Sequence, residues 1–250
     1  MSVSAPVASQ ANGISTVVNT IAAPNEAFDT LAAAPTWGWA LLIAIVLMLV
    51  GTYIEAPAAR HTAVAATQRM VQTNPYFASQ SAEQKQKIID RAGKTSLFSY
   101  VMPIVVLFIA VLFNTLFMQI GNAVGKGAAT FKTLWAGSMN IAVPTIGLSL
   151  LVTGIITMLR GADSFNSQGD LARAVPGLSM LAPHSAPAVG GFLAGITLFS
   201  LWGAFLNSTM LQRTGKVSPA IAWTFAAIVL LLGGALGAAA ALIGAKFGMA

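Results

Sequence analysis

Five stretches of the chain carry no Asp, Glu, Lys or Arg: 30–54, 95–125, 133–159, 174–212 and 217–245. Only 20 of the 250 residues are charged, and every one falls outside these windows. A water-soluble domain has roughly a quarter of its residues charged. A charge at the centre of a bilayer is disfavoured by about 2.5–3.5 kcal/mol on insertion scales. Segregation this complete is what a lipid solvent selects, and it predicts an integral membrane protein.

A spanning helix takes about 20 apolar residues at 1.5 Å of rise each. The compact apolar cores run 37–54, 97–120, 134–159, 191–211 and 218–243. They predict an all-α bundle of five transmembrane helices, the first lengthened at the interface by 32–35. A β-barrel would need strands of alternating polarity, whereas 41–50 reads Leu-Leu-Ile-Ala-Ile-Val-Leu-Met-Leu-Val, apolar on every face. No Lys or Arg precedes Arg60 and no apolar run precedes Trp37. An ordinary cleavable signal peptide is therefore not expected, and the first span is expected to direct insertion.

Residues 1–13 read as a disordered leader ahead of one membrane domain over 14–246. Ile14, Val17, Val18 and Ile21 share a helical face, and Pro24 suits the first turn of a second helix, with Glu26 beside it. Residues 14–34 are thus expected as helix, either on the membrane surface or packed on the bundle as a lead-in. The segment 55–94 holds six of the thirteen bases. Pro57 is expected to open a helix that ends before Asn74-Pro75. Ser81-Ala-Glu-Gln84 has capping-box spacing and Gly93 suits a C-cap, giving a helix over 84–92. That helix offers Lys85, Lys87 and Arg91 for contact with a partner or with anionic lipid, with Ile88 and Ile89 turned inward. The alternative is a solvated hairpin of two helices.

Within the spans, Pro103 and Pro144 are expected to kink their helices. Gly191/Gly195 and Gly233/Gly237 have the small-xxx-small spacing that lets helices approach closely, for packing inside the chain or in a homo-oligomer. Asn114 and Asn207 are the notable amides inside spans. Interhelical hydrogen bonds account for them, or a polar transport path.

Catalytic motifs are missing. The two histidines, His61 and His184, are expected in loops without an accompanying acidic cluster, although His184–Asp170 or His61–Glu55 pairs have a metal-ligating composition. Gly121-Asn-Ala-Val-Gly-Lys-Gly127 fails as a P-loop, having three residues between its glycines and no Ser or Thr after the lysine. There is no cysteine, which excludes disulfides and thiolate chemistry. The net charge of +6 comes from bases beside spans, where they are routine, so it does not point to nucleic acid. Neither catalysis nor a cofactor or metal is expected, and no span buries the carboxylate or histidine that ion-coupled transport uses.

The order of local signals is more specific. Ile21-Ala-Ala-Pro-Asn-Glu-Ala-Phe28 leads through Ala34-Pro-Thr-Trp37 into the first span. Gly125-Lys-Gly-Ala-Ala-Thr-Phe-Lys132 precedes Leu134-Trp-Ala-Gly-Ser-Met139 and Pro144. Leu201-Trp202 lies in the fourth span, and Arg213-Thr-Gly-Lys216 precedes the fifth. This ordered set, covering about 14–246, resembles the prokaryotic branch of the Yip family, multispanning proteins named for interaction with Ypt/Rab GTPases in eukaryotes. The resemblance implies a five-helix membrane domain without catalytic residues, in a bacterial inner or plasma membrane. The acidic motif of the eukaryotic relatives is not found here, so GTPase binding is not carried over. A membrane scaffold or interaction protein is the reading that follows, with a channel or transporter component as the alternative. Orientation is left in conflict. Segments 55–94, 160–190 and the C-terminus hold nine bases against four on the other side, which puts the N-terminus outside, whereas the family resemblance puts it in the cytosol.

Overall fold

The computed structural model describes residues 12–94, 96–182 and 185–246. Two short helices come first, α1 (Gly13–Ala22) and α2 (Pro24–Ala33). The long α3 (Gly38–Thr73) is followed by α4 (Ala82–Ala92) and α5 (Phe98–Val124). Next are α6 (Phe131–Ala142), a π-helical turn (Val143–Gly147) and α7 (Leu148–Arg160). The short α8 (Gln168–Ala172) leads to α9 (Pro187–Ala194), α10 (Leu198–Thr214) and α11 (Pro219–Lys246). Among the described residues there is no strand, only one isolated antiparallel bridge between Gly177 and Thr197.

Four helical stretches are long and apolar enough to cross a bilayer: Gly38–Thr73, Phe98–Val124, Phe131–Arg160 and Pro219–Lys246. The protein is an all-α, multi-pass membrane bundle. Its outer face fits that solvent, with Leu42, Val46, Val105, Ile109, Leu116 and Leu231 all exposed. In water such a surface would be an aggregation liability.

The expected fourth span, 191–211, is not one helix. It is divided between α9 and α10, which meet at Gly195-Ile196-Thr197. Thr197 begins α10 with a capping box: its hydroxyl accepts from Ser200 N–H, and Ser200 Oγ accepts from Thr197 N–H at 2.8 Å. Those bonds satisfy helix-end donors, so the chain gains by restarting a helix at this point.

One other expectation changes, and the two in-span prolines differ in effect. Pro57 does not open a helix but lies inside α3, which runs on for 36 residues, about 54 Å. One missing backbone hydrogen bond is outweighed by packing beside the proline, where Ala56 and Ala58 are buried and Ala58 joins the cluster of Phe165, Leu171 and Ala174. Pro144 shifts its helix into the π-helical turn, the wider register that spares the backbone groups its ring would obstruct. The helix end at Thr73 before Asn74-Pro75 and the α4 capping box occur where the sequence places them. The proposed leader lies outside the described residues except for its last two positions.

The connections define two ends of the bundle. At one end, Trp37 meets Trp135 edge-on at 6.4 Å between ring centroids, joining the start of α3 to that of α6. Ala128 N–H donates to Gly215 O at 2.9 Å, tying the loop after α5 to the end of α10. Trp39 and Trp223 are exposed nearby in the sequence starts of α3 and α11; tryptophans of this kind favour the membrane–water boundary. α2 closes this end, with Phe28 and Leu31 fully buried and Asp29 bonded to Arg213. At the other end, the far half of α3 is braced by the segment after α7. His61 Nδ1–H donates to Phe165 O at 2.9 Å, Gln168 donates to Thr62 at 2.9 Å, and Arg69 donates to Asn166 O.

Candidate functional site: an amide-floored cavity in the bundle

α5, α6 and α10 each bring one polar side chain to a common point inside the bundle. Asn114 lies on α5, one turn beyond the apolar Val111; Ser138 lies on α6 and Asn207 on α10. Asn114 uses both hydrogens of its amide: it donates to Ser138 Oγ and to Asn207 Oδ1, each at 2.9 Å. Ser138 and Asn207 are buried and Asn114 is half-buried. The two amides singled out from the sequence therefore contact one another, across 93 residues of chain.

Beside this trio is a cavity of about 190 Å³, walled by α5, the α6/π-turn segment, α10 and α11. Asn114, Ser138 and Asn207 supply its polar side, with Thr145 and Ser200; Ile141, Val229 and Leu230 represent its apolar walls. Two irregular backbone segments border it: the π-helical turn at 143–147 and the α9–α10 break at Gly195. The break is held from outside. Leu178 N–H donates to Ile196 O at 2.9 Å and Leu198 N–H to Pro176 O at 3.3 Å. Backbone groups left free where α9 gives way to α10 need partners, and the 176–178 segment supplies two. At about 190 Å³ the cavity is below the roughly 300–1,000 Å³ of ordinary ligand pockets. It is nearer the engineered apolar cavity of about 150 Å³ that admits benzene.

The glycines lie where α9 and α11 touch. A Cβ built on Gly191 collides with the carbonyl oxygen of Gly237, and one on Gly195 comes within 2.9 Å of Gly234 Cα and 3.0 Å of Gly233 O. The facing pairs are thus Gly191 with Gly237 and Gly195 with Gly234. Gly233 itself has nothing within 4 Å of its Cβ position. The four-residue spacing from Gly237 selects Gly233 and passes over Gly234, whose contact depends on how α9 crosses α11.

The expected basic trio is split. Lys87 and Arg91 are exposed on one side of α4, and Lys87 is paired with Glu83 at 2.6 Å. Lys85 is half-buried on the side of Ile88 and Ile89. The three bases offered for contact therefore do not share one exposed face; the one-turn offset from Lys85 to Ile88 and Ile89 puts those three on a common side. His61 is likewise not in a loop but in α3, its Nε2 lying 3.7 Å from Asp163 rather than at Glu55. His184 lies outside the described residues. Among the described residues no three His, Asp or Glu side chains gather as a metal site.

The arrangement defines a multi-pass helical membrane protein in which most buried hydroxyls and amides bond to backbone carbonyls, and Asn114, Ser138 and Asn207 bond to one another. Comparison with protein-family models, curated proteins and solved structures finds no match for this chain.

Proposed function

We propose that this is a non-enzymatic membrane scaffold of Yip-like architecture that presents the α3–α4 projection to a protein partner. The observation carrying this reading is the length of α3. About 30 Å of helix suffices for the hydrocarbon core, so roughly 24 Å of the 54 Å rod extends beyond it, with α4 folded against it. The tip exposes Tyr76, packed edge-on against Phe77 at 5.3 Å, and α4 exposes Arg91. Tyrosine and arginine are the side chains that most often anchor protein interfaces.

The α9–α10 segment is the fifth crossing in this proposal. α7 ends at the end of the bundle where α3 projects, whereas α10 ends against the loop that follows α5. Beyond the five-residue α8, the chain passes between those points through α9 and α10, which run antiparallel to α11 from Gly191–Gly237 to Phe205–Trp223. A bacterial inner membrane is part of the same reading.

A photo-crosslinking residue at position 76 is expected to give a discrete protein adduct in native membranes. Tyr76→Ala with Arg91→Gln should abolish the corresponding co-purification. Adducts to lipid alone, or co-purification unchanged by the double variant, would overturn the proposal.

A second reading, a channel or transporter component, is favoured by the cavity at the broken helix. It requires a small solute flux in proteoliposomes that falls with Asn114→Leu and Asn207→Leu; flux indifferent to both removes these residues from such a path.

A further inference from the structure

A second cavity, of about 340 Å³, opens between α3, α7, the end of α4 and the start of α5. Its volume is within the ligand-pocket range. Three charged side chains line it: Glu55, Arg60 and Lys94, with Thr52 and Ser99 beside them. Glu55 is half-buried, and Arg60 and Lys94 are exposed, so an acidic group lies deeper than two basic ones. None of the three forms an ion pair among the described residues, although opposite charges share one cavity. A carboxylate partly removed from water is costly without a cation to meet it.

The cavity sits at the membrane boundary. On α3 the charge-free window closes at Ile54, and on α5 the apolar run begins at Leu97. From Ser99 and Pro103 in the cavity wall, the adjacent side of α5 continues through Met102 and Val106, both exposed and both within its apolar run. Polar chemistry at the boundary thus leads directly into an apolar track.

We propose that this cavity binds an ethanolamine phospholipid. The phosphate meets Arg60 and Lys94 at the rim, the primary ammonium donates to the Glu55 carboxylate inside, and an acyl chain follows Met102 and Val106. The charge order fits a phosphate and an amine separated by a two-carbon bridge. Glu55 and Arg60 are five residues apart on α3, about 7.5 Å of axial rise, a gap that the long arginine side chain can shorten. A phosphoglycerol headgroup offers Glu55 no cation, and a choline headgroup offers no N–H donor.

The full-length protein, purified in mild detergent, is to be examined by native mass spectrometry after equilibration with equal phosphatidylethanolamine, phosphatidylcholine and phosphatidylglycerol. At least tenfold preferential retention of the ethanolamine lipid is expected. Glu55→Gln should remove the preference over choline, Arg60→Gln with Lys94→Gln should weaken retention of both, and Ala59→Leu, which fills the cavity, should displace lipid without altering its charge. Equal retention of all three lipids by the unaltered protein overturns the proposal, as does a preference that survives these variants in folded protein. Inorganic phosphate and O-phosphoethanolamine serve as soluble competitors: if millimolar amounts of either displace the lipid fully, the site is an anion or amine site and not a lipid site.

Discussion

The side-chain amide of Asn114 on α5 donates to Asn207 Oδ1 on α10 at 2.9 Å, and with its second hydrogen to Ser138 Oγ. Three helices are therefore joined through a single nitrogen. Measured hydrogen bonds between membrane helices average about 0.6 kcal/mol and reach about 1.7 kcal/mol. A double-mutant cycle of Asn114→Ala and Asn207→Ala, read by equilibrium unfolding in bicelles, should give a coupling energy in that interval. Additive effects would mean that the two amides act separately.

The contact of α9 with α11 predicts a contrast among glycines. At Gly191 a methyl group meets the Gly237 backbone, which cannot move aside as a flexible side chain would. Gly191→Ala and Gly237→Ala should each destabilise by about 1–3 kcal/mol, the usual overpacking cost. Gly233→Ala points into open space and should be neutral or stabilise by up to about 1 kcal/mol through helix propensity. Thermal unfolding of the three variants in one detergent checks the order.

Two interactions anchor α2, and their magnitudes differ. The Asp29–Arg213 ion pair has both side chains 42% exposed, so solvent screening leaves it weak. Phe28 is fully buried in the cluster with Leu134, Leu206 and Met210, and truncating such a ring costs about 3–5 kcal/mol. Hydrogen exchange across α1 and α2 should rise sharply in Phe28→Ala and little in Arg213→Ala. The reverse order would assign the docking to charge.

Ser81 caps α4 by accepting from Gln84 N–H at 3.2 Å, while Gln84 Oε1 accepts from Ser81 N–H at 3.1 Å. Ser81→Ala should lower the stability of α4 by about 1 kcal/mol. Because α4 has no fully buried residue, the loss should appear as local exchange within α4 and leave the unfolding of the bundle unchanged.

These elements also separate what is legible in the sequence from what is not. The Ser81–Gln84 cap and the stop at Asn74-Pro75 depend on neighbours within four residues, so short spacing suffices to read them. Pro57 misleads because its local effect is opposed by the neighbouring Ala58 packing against Phe165 and Leu171, far along the chain. Residues 191–211 read as one apolar run because hydropathy does not register Thr197 and Ser200 satisfying helix-end donors. Asn114 and Asn207 are recognisable as unusual for a lipid environment, but their pairing depends on the crossing of α5 and α10. The Asp29–Arg213 pair joins positions 184 residues apart, and no local pattern in the sequence encodes it.

In the membrane, α3 and α7 meet backbone to backbone: a Cβ on Gly51 would lie 2.6 Å from the Leu150 carbonyl carbon, and one on Gly154 would lie 2.7 Å from Gly51 O. With no side-chain cushion between them, the two helices turn together or not at all. α7 follows directly from the π-helical turn. A sideways load on the far end of α3 is therefore delivered, as by the long arm of a crank, to the turn that walls the amide-floored cavity.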